Sequence, residues 1–311
     1  MLLTEFAEKH YFPHVKKTVR ETTYVGYWSS YIRYVRPEFS DVDMNGITVL
    51  HIENWIDSIE KPGAAAKAFK VLRQIMRRAD YCDMLNIDDP TKKHIKLPKT
   101  EGNQNRILTA DEVKELLVGF RGHILEPCVL CAVTLGLRRC ESFGLLWEDI
   151  DFETGDVFVH RSIQYINGHE VCYPTKTKLS TRHVYLPPYA LQRLLEIREE
   201  SGPLLKVPVR EAPVLYKKHI QESVLPYTPF MNLRHTYATL ALESGTDILL
   251  IAKMLGHTDL EMAYTRYVKP SKQAYISAQN NMQDLIAPPE KERKPIKSLF
   301  SRLKAKVLGS T

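Results

Sequence analysis

Apolar positions recur at helical spacing through the first ninety residues, predicting helices over residues 4–10, about 21–35, 48–59 and 64–78. Turn signals separate them: Arg36-Pro37, Asn45-Gly46 and Lys61-Pro62-Gly63. In the last helix Lys67, Lys70, Arg73, Arg77 and Arg78 fall within about 140° of arc, while Ala68, Val71, Leu72 and Ile75 fill the other side. The result is a basic stripe, which is either a solvated face or a surface for nucleic-acid phosphates.

Past Asp89-Pro90 the periodicity stops. Residues 91–105 (TKKHIKLPKTEGNQN) are polar and lysine-bearing, and read as a linker. A new region opens at Thr109-Ala110-Asp111-Glu112, a capping-box pattern ahead of the helix EVKELLVGF. A second apolar helix over residues 124–135 leads to strand-like runs at 156–162, 162–166 (turning at Asn167-Gly168) and 183–186, closed by Pro187-Pro188. Helical spacing returns over about 189–200, 231–244, 247–255 and 260–267. The expectation is an α+β chain, mainly α: a helical domain over 1–90, a linker over 91–106, a mixed domain with a small antiparallel sheet over 107–287, and a tail over 288–311.

Bulk properties narrow the function classes. The 311 residues suit two domains of about 100–200 residues each. There is no apolar run of membrane-spanning length and no secretory pattern at the amino terminus, so a cytoplasmic protein with no membrane role is expected. Cysteines 82, 128, 131, 140 and 172 form no disulfide framework, and Cys128 and Cys131, in the apolar run EPCVLCAVTL, read as core thiols. The net charge is +6, of which residues 290–311 carry +5, so any basic surface on the body must come from local clustering. Neither a Walker loop nor a dinucleotide glycine fingerprint occurs, which leaves no signal for ATP or NAD.

The chemistry-bearing residues lie in separated segments: Gly136-Leu137-Arg138-Arg139-Cys140-Glu141, Thr175-Lys176-Thr177-Lys178, Asn232-Leu233-Arg234-His235-Thr236, Leu255-Gly256-His257 and Tyr264-Thr265-Arg266-Tyr267. In order, spacing and context this set resembles the tyrosine recombinase (phage integrase) family, closely over residues 108–283 and loosely, as a core-binding domain, before that. The resemblance implies cleavage and rejoining of DNA at attachment sites through a phosphotyrosine, by a tetramer on double-stranded DNA, with no cofactor and no required metal.

Elementary chemistry accounts for these residue types. A phosphodiester gains charge in its transition state, and guanidiniums bind its oxygens bidentately while staying charged at every accessible pH. Arg138 and Arg234 fit that role, although the neighbouring Arg139 competes with Arg138. Tyr267 is the implied nucleophile; Tyr264, one helical turn away, is not excluded by pattern. The resemblance makes Lys176 the general acid for the departing 5′ oxygen, with Lys178 as the competitor, and His257 a phosphate hydrogen-bonding group. Glu141 would orient the pocket from the next helical turn, and His235 reads as a buried structural histidine. Candidate DNA-binding residues are Lys67, Lys70, Arg73 and Arg77.

The chain departs from the family pattern at Met231, where most relatives carry a histidine three residues before the second arginine; methionine can neither transfer a proton nor donate a hydrogen bond. A DNA-binding protein of the same fold with lost or weak cleavage is therefore the second reading, and a strand-relaxing topoisomerase a third. Beyond Tyr267, Tyr275, Ala278, Met282 and Leu285 fall on one helical face, implying docking on a neighbouring protomer by the resemblance. The basic tail has an apolar stripe (Ile296, Leu299, Phe300, Leu303, Val307) that leaves DNA, a partner, a membrane surface or a disordered tail all open.

Overall fold

A computed structural model describes residues 1–99, 106–175 and 178–256. It is mainly helical with short antiparallel ladders. Helices α1 (Leu3–Phe6), α2 (Phe12–Thr18), α3 (Glu21–Ser30), α4 (Arg36–Phe39), α5 (Val49–Ser58) and α6 (Pro62–Tyr81) come first. α1 and α2 are joined through a π turn at Ala7–Tyr11, and α3 and α4 through another at Tyr31–Val35. Each π turn runs into a proline, Pro13 or Pro37, at the start of the next helix. A proline inside a helical run cannot donate to the carbonyl four residues back and crowds it, and a widened turn relieves both problems. The stop expected at Arg36-Pro37 is therefore a passage: the chain stays helical to Phe39.

Thr48 caps α5 by accepting the His51 N–H at 3.1 Å. α6 exceeds its expected bounds at both ends because Pro62 fills the first helical position, where the missing N–H costs nothing. Its inner face (Ala68, Val71, Leu72, Ile75) joins Phe6, Phe12, Tyr31, Phe39, Trp55 and others in one core. Its outer face leaves Lys67, Lys70, Arg73 and Arg77 exposed, with Lys70 over the Tyr27 ring at 5.8 Å. The stretch read as linker begins in ordered contact: Asp89 caps a turn at Thr91, and Ile95 packs on this first core.

A second, separate core gathers α7 (Ala110–Gly119), α8 (Glu126–Leu135), α10 (Pro188–Glu196), α11 (Ala212–Glu222) and α12 (Asn232–Glu243), while the single turn α9 (Arg139–Ser142) packs on α8 and α13 (Ile248–Leu255) on α12. The capping box forms: Glu112 N–H donates to Thr109 Oγ1 at 3.2 Å and Thr109 N–H to Glu112 Oε2 at 2.9 Å. Cys128 and Cys131 are fully buried within α8, and burial pushes both thiols up, Cys131 to about 12.

The expected small antiparallel sheet forms as two two-stranded ladders, β1 (Asp156–Val159) with β4 (Arg182–Tyr185) and β2 (Arg161–Ile166) with β3 (His169–Pro174). The continuous run 156–166 breaks at His160, where the chain leaves one ladder for the other. The β2–β3 turn at Asn167 and Gly168 has positive φ at both residues, the left-handed geometry that matches strand twist. α11 was not legible as an element, since its apolar positions are interrupted by Lys217, Lys218 and His219.

Candidate active site

The site is built where two helices end. α8 terminates in Gly136 and α13 in Gly256, both left-handed with φ of 65° and 66°. A side chain at either would be strained by backbone conformation alone. Space is short as well: a Cβ on Gly136 would clash at 2.5 Å with atoms of both Leu255 and Tyr237, and one on Gly256 would fit tightly, 3.0 Å from the Leu179 carbonyl and 3.2 Å from Arg182 Nη1. The two helix ends thus approach each other and point their unpaired carbonyls into one region.

Three arginines fill it. Arg234, in the first turn of α12, donates from Nη1 to the Gly136 carbonyl at 3.0 Å and from Nη2 to Leu255 O at 2.8 Å. Arg138, just ahead of α9, donates from Nη2 to Gly256 O at 3.0 Å. Arg182, on β4, donates from Nε to Met254 O at 2.5 Å and from Nη1 to Ser180 O at 3.0 Å. Guanidiniums here complete helix C-termini, where the carbonyl ends of the backbone dipoles favour positive charge.

One carboxylate holds the set together. Glu141, its side chain only 3% exposed, accepts from Arg138 Nη1 at 2.6 Å, Arg138 N–H at 2.9 Å and Arg182 Nη2 at 3.0 Å, with Arg234 Nη1 3.9 Å away. Burial pushes the Glu141 carboxyl up, but the charge and hydrogen bond of Arg182, joined by Arg138, outweigh it and leave the group below the ordinary carboxylate range. Glu141 is therefore ionised at neutral pH, one negative charge among three positive ones.

Accessibility separates the arginines. The Arg138 side chain is 37% exposed, whereas Arg182 and Arg234 are each 7% exposed. Arg139, the sequence competitor of Arg138, is exposed, and its side chain makes no hydrogen bond or ion pair in the Glu141 cluster. Met231, three residues before Arg234, is 63% exposed and so is no core-packing residue. His235 is half-buried rather than buried, because it sits at the rim of α12 while Arg234 and Thr236 on either side turn inward.

Lys176 follows the β2–β3 hairpin in the sequence. The hairpin's exit is fixed at Thr175, a buried residue whose N–H donates to His160 O at 3.1 Å and whose hydroxyl pairs with that of Thr181 at 2.5 Å. Arg20 reaches Thr175 O at 3.4 Å from the first helical region, and Glu21 accepts from the Tyr173 hydroxyl at 2.9 Å. Lys176, His257, Tyr264 and Tyr267 lie outside the described residues, as do the apolar face at 275–285 and the basic tail.

Arg182 is the member of the Glu141 cluster that sequence reading missed. A signal was present: in the strand it shares the inward register with Val184 and ends a face continued by Leu186. An arginine on the apolar face of a strand requires a buried carboxylate or carbonyl partners, and that requirement points back to Glu141.

Comparison with known proteins shows the family and the fold. The sequence pattern of the phage integrase family matches residues 100–274, more than half of the chain, and that of the phage integrase N-terminal SAM-like domain matches residues 3–59. A XerC-like tyrosine recombinase of Caldanaerobacter subterraneus subsp. tengcongensis is 26% identical over 317 residues, covering 88% of this chain and 81% of that protein. The tyrosine recombinase XerA of Pyrococcus horikoshii is 28% identical over 218 residues, covering 66% of this chain and 70% of its own. Among solved structures, the Tn1549 transposon integrase in complex with a circular intermediate DNA superposes with a TM-score of 0.79 at 14% identity, over 91% of this chain and 99% of that one. A lambda integrase dimer bound to a core site gives 0.66 at 18% identity, over 88% and 97%. No described helix is long and apolar enough to cross a membrane. With its motifs in family order, its arginines gathered on one buried glutamate and more than half its length matched, the chain belongs to the phage integrase family.

Proposed function

We propose that this protein is a site-specific DNA recombinase that cleaves and rejoins strands through a 3′-phosphotyrosine at Tyr267. The observation that carries the reading is the Glu141-centred arginine cluster, in which Arg138 is both firmly oriented and open to solvent. Arg138 makes two side-chain bonds within the protein and, with five N–H groups, keeps donors for a phosphate oxygen. Arg234 acts from a more buried position, supplying charge beneath the same phosphate while it anchors both helix ends.

In the proposed reaction the Tyr267 oxygen attacks phosphorus as its proton passes to solvent water, and the P–O5′ bond breaks. The departing 5′ oxygen takes a proton from Lys176, and His257 hydrogen-bonds the phosphate. The phosphodiester's energy is kept in the phosphotyrosine, so a 5′-hydroxyl from a second duplex can reverse the steps and complete strand exchange without ATP. Arginine and lysine supply all the positive charge this requires.

The division into a DNA core-binding domain (1–90), linker (91–106), catalytic domain (107–287) and tail (288–311) belongs to the same proposal. The two separate cores support it, and so does the basic stripe of Lys67, Lys70, Arg73 and Arg77 on the open face of α6. The partner is double-stranded DNA carrying attachment sites, engaged by a homotetramer. Structures of a lambda integrase tetramer on a Holliday junction and of the transposon integrase on DNA share this fold.

The test is single-turnover cleavage of a nicked suicide substrate whose core site is first selected from a random DNA pool. Arg138→Ala and Arg234→Ala should each lose about 3 kcal/mol or more of transition-state stabilisation, over a hundredfold in rate, with a smaller loss of affinity. Cleavage at the native rate by either variant would move the phosphate pocket elsewhere.

A further inference from the structure

The three segments that bring catalytic groups together are tied by a single side chain that touches none of the reacting atoms. Arg182 donates to Glu141 Oε2 beside Arg138, to Met254 O, three residues before His257 in the sequence, and to Ser180 O, four residues after Lys176 in the sequence. Its side chain is 7% exposed, and each of its three nitrogens is engaged by a protein acceptor. Unlike Arg138, which keeps donors on a solvent-open side, Arg182 has every nitrogen committed to an acceptor within the protein. A second observation is independent of these bonds. Gly256 leaves only 3.2 Å between a would-be Cβ and Arg182 Nη1, so the end of α13 is packed directly on this guanidinium.

Charge gives the arrangement a purpose. When a phosphate arrives, Arg138 and Arg234 must turn part of their charge towards it, weakening their hold on Glu141. A buried carboxylate left without a partner is costly, and it would pull the two arginines back. We propose that Arg182 is a positioning residue for the recombination reaction: it neutralises Glu141 permanently, so that Arg138 and Arg234 are free to serve the scissile phosphate, and it fixes the hairpin exit and the end of α13 around them. This inference rests on the reading of Arg138 and Arg234 as the phosphate-binding arginines.

A planar fork with three nitrogens in fixed directions is needed, so Arg182→Lys keeps the charge but cannot reach all three acceptors. The experiment compares native protein, R182K and R138A on two suicide substrates, one with a normal scissile phosphate and one with a methylphosphonate at that position. The methylphosphonate lacks one charged oxygen and depends less on paired arginines. R182K should bind core-site DNA with native affinity yet cleave the normal substrate about 10–100-fold more slowly, the scale expected from small misplacement of catalytic groups. On the methylphosphonate both the R182K and the R138A defects should shrink. Retention of the R182K defect while that of R138A shrinks would overturn the positioning role, as would native cleavage by R182K. A defect of R138A that stays the same on both substrates would instead overturn the underlying reading of the phosphate pocket. If R182K does not fold, the double variant E141Q/R182M removes both buried charges and takes its place. It should fold and, with no carboxylate left to draw Arg138 and Arg234 back, cleave the normal substrate far faster than R138A; a defect as large as that of R138A would count against the proposal.

Discussion

Replacing Glu141 by glutamine tests the packing of the site separately from its chemistry. The carboxylate accepts from two guanidiniums and one backbone N–H, at 2.6, 2.9 and 3.0 Å, with its side chain 3% exposed. Each charge-assisted bond alone is worth about 1.5–3 kcal/mol, but the three share two oxygens, so the total is bounded by the cost of removing one partner of a buried ion pair, about 3–5 kcal/mol. Glutamine keeps one acceptor oxygen and turns an NH2 towards a guanidinium, which places Glu141→Gln at ~3 kcal/mol. For a domain of 150–250 residues that is a fall in Tm of roughly 6–12 °C. Acid titration supplies a second readout. Because the Glu141 carboxyl is depressed in the folded protein, the unfolded chain binds the extra proton first. Its contribution is complete above the ordinary carboxylate range and is lost as pH falls through the folded value. Urea unfolding between pH 7 and pH 3 should therefore show a steeper loss for native protein than for the variant. A Tm within about 2 °C of native, with parallel pH curves, would refute the view that this glutamate organises the cluster.

Neutralising Lys67, Lys70 and Arg73 should flatten the salt dependence of DNA binding by up to ~0.9 per lost phosphate contact, read from the slope of log Kd against log salt; an unchanged slope makes the stripe a solvated face. Met231→His should raise suicide-substrate cleavage by at most about a hundredfold, because an exposed residue one turn from Arg234 can add one hydrogen bond to a charged group without disturbing the core. A well-folded Met231→His that cleaves more slowly than native protein would contradict that placement. Gly136→Ala should destabilise the chain and abolish cleavage, since the added carbon meets Leu255 and Tyr237 at 2.5 Å in a left-handed backbone; a native-like melting curve would contradict the close approach of the two helix ends.

What the sequence made legible depended on how local the determinants were. Helix starts with their own chemistry, such as Thr48 and the Thr109–Glu112 box, came out within a residue or two because the capping bonds are made by neighbours in the chain. Pro37 misled in one direction: the residues before it form a π turn that lets the helix continue, a tertiary solution set by burial of Val35 and Phe39. The strand run was legible, but its split into two ladders was not, since the partner of β1 lies in β4, beyond the whole β2–β3 hairpin. At the site, Arg138, Glu141 and Arg234 were visible as motif residues, and the structure brings them together. Arg182 was invisible to motif reading because its role is defined only by three acceptors scattered over residues 141, 180 and 254.

The central claim is covalent chemistry at one tyrosine, and trapping the adduct addresses it directly. Native protein, Tyr267→Phe and Tyr264→Phe are incubated with the selected suicide substrate, and adducts are resolved by denaturing gel and mapped by peptide mass spectrometry. Native protein and Tyr264→Phe should form an adduct linking a 3′ phosphate to residue 267, while Tyr267→Phe binds the DNA with near-native affinity and forms none. An adduct that survives in Tyr267→Phe, or that maps to Tyr264, would contradict the account.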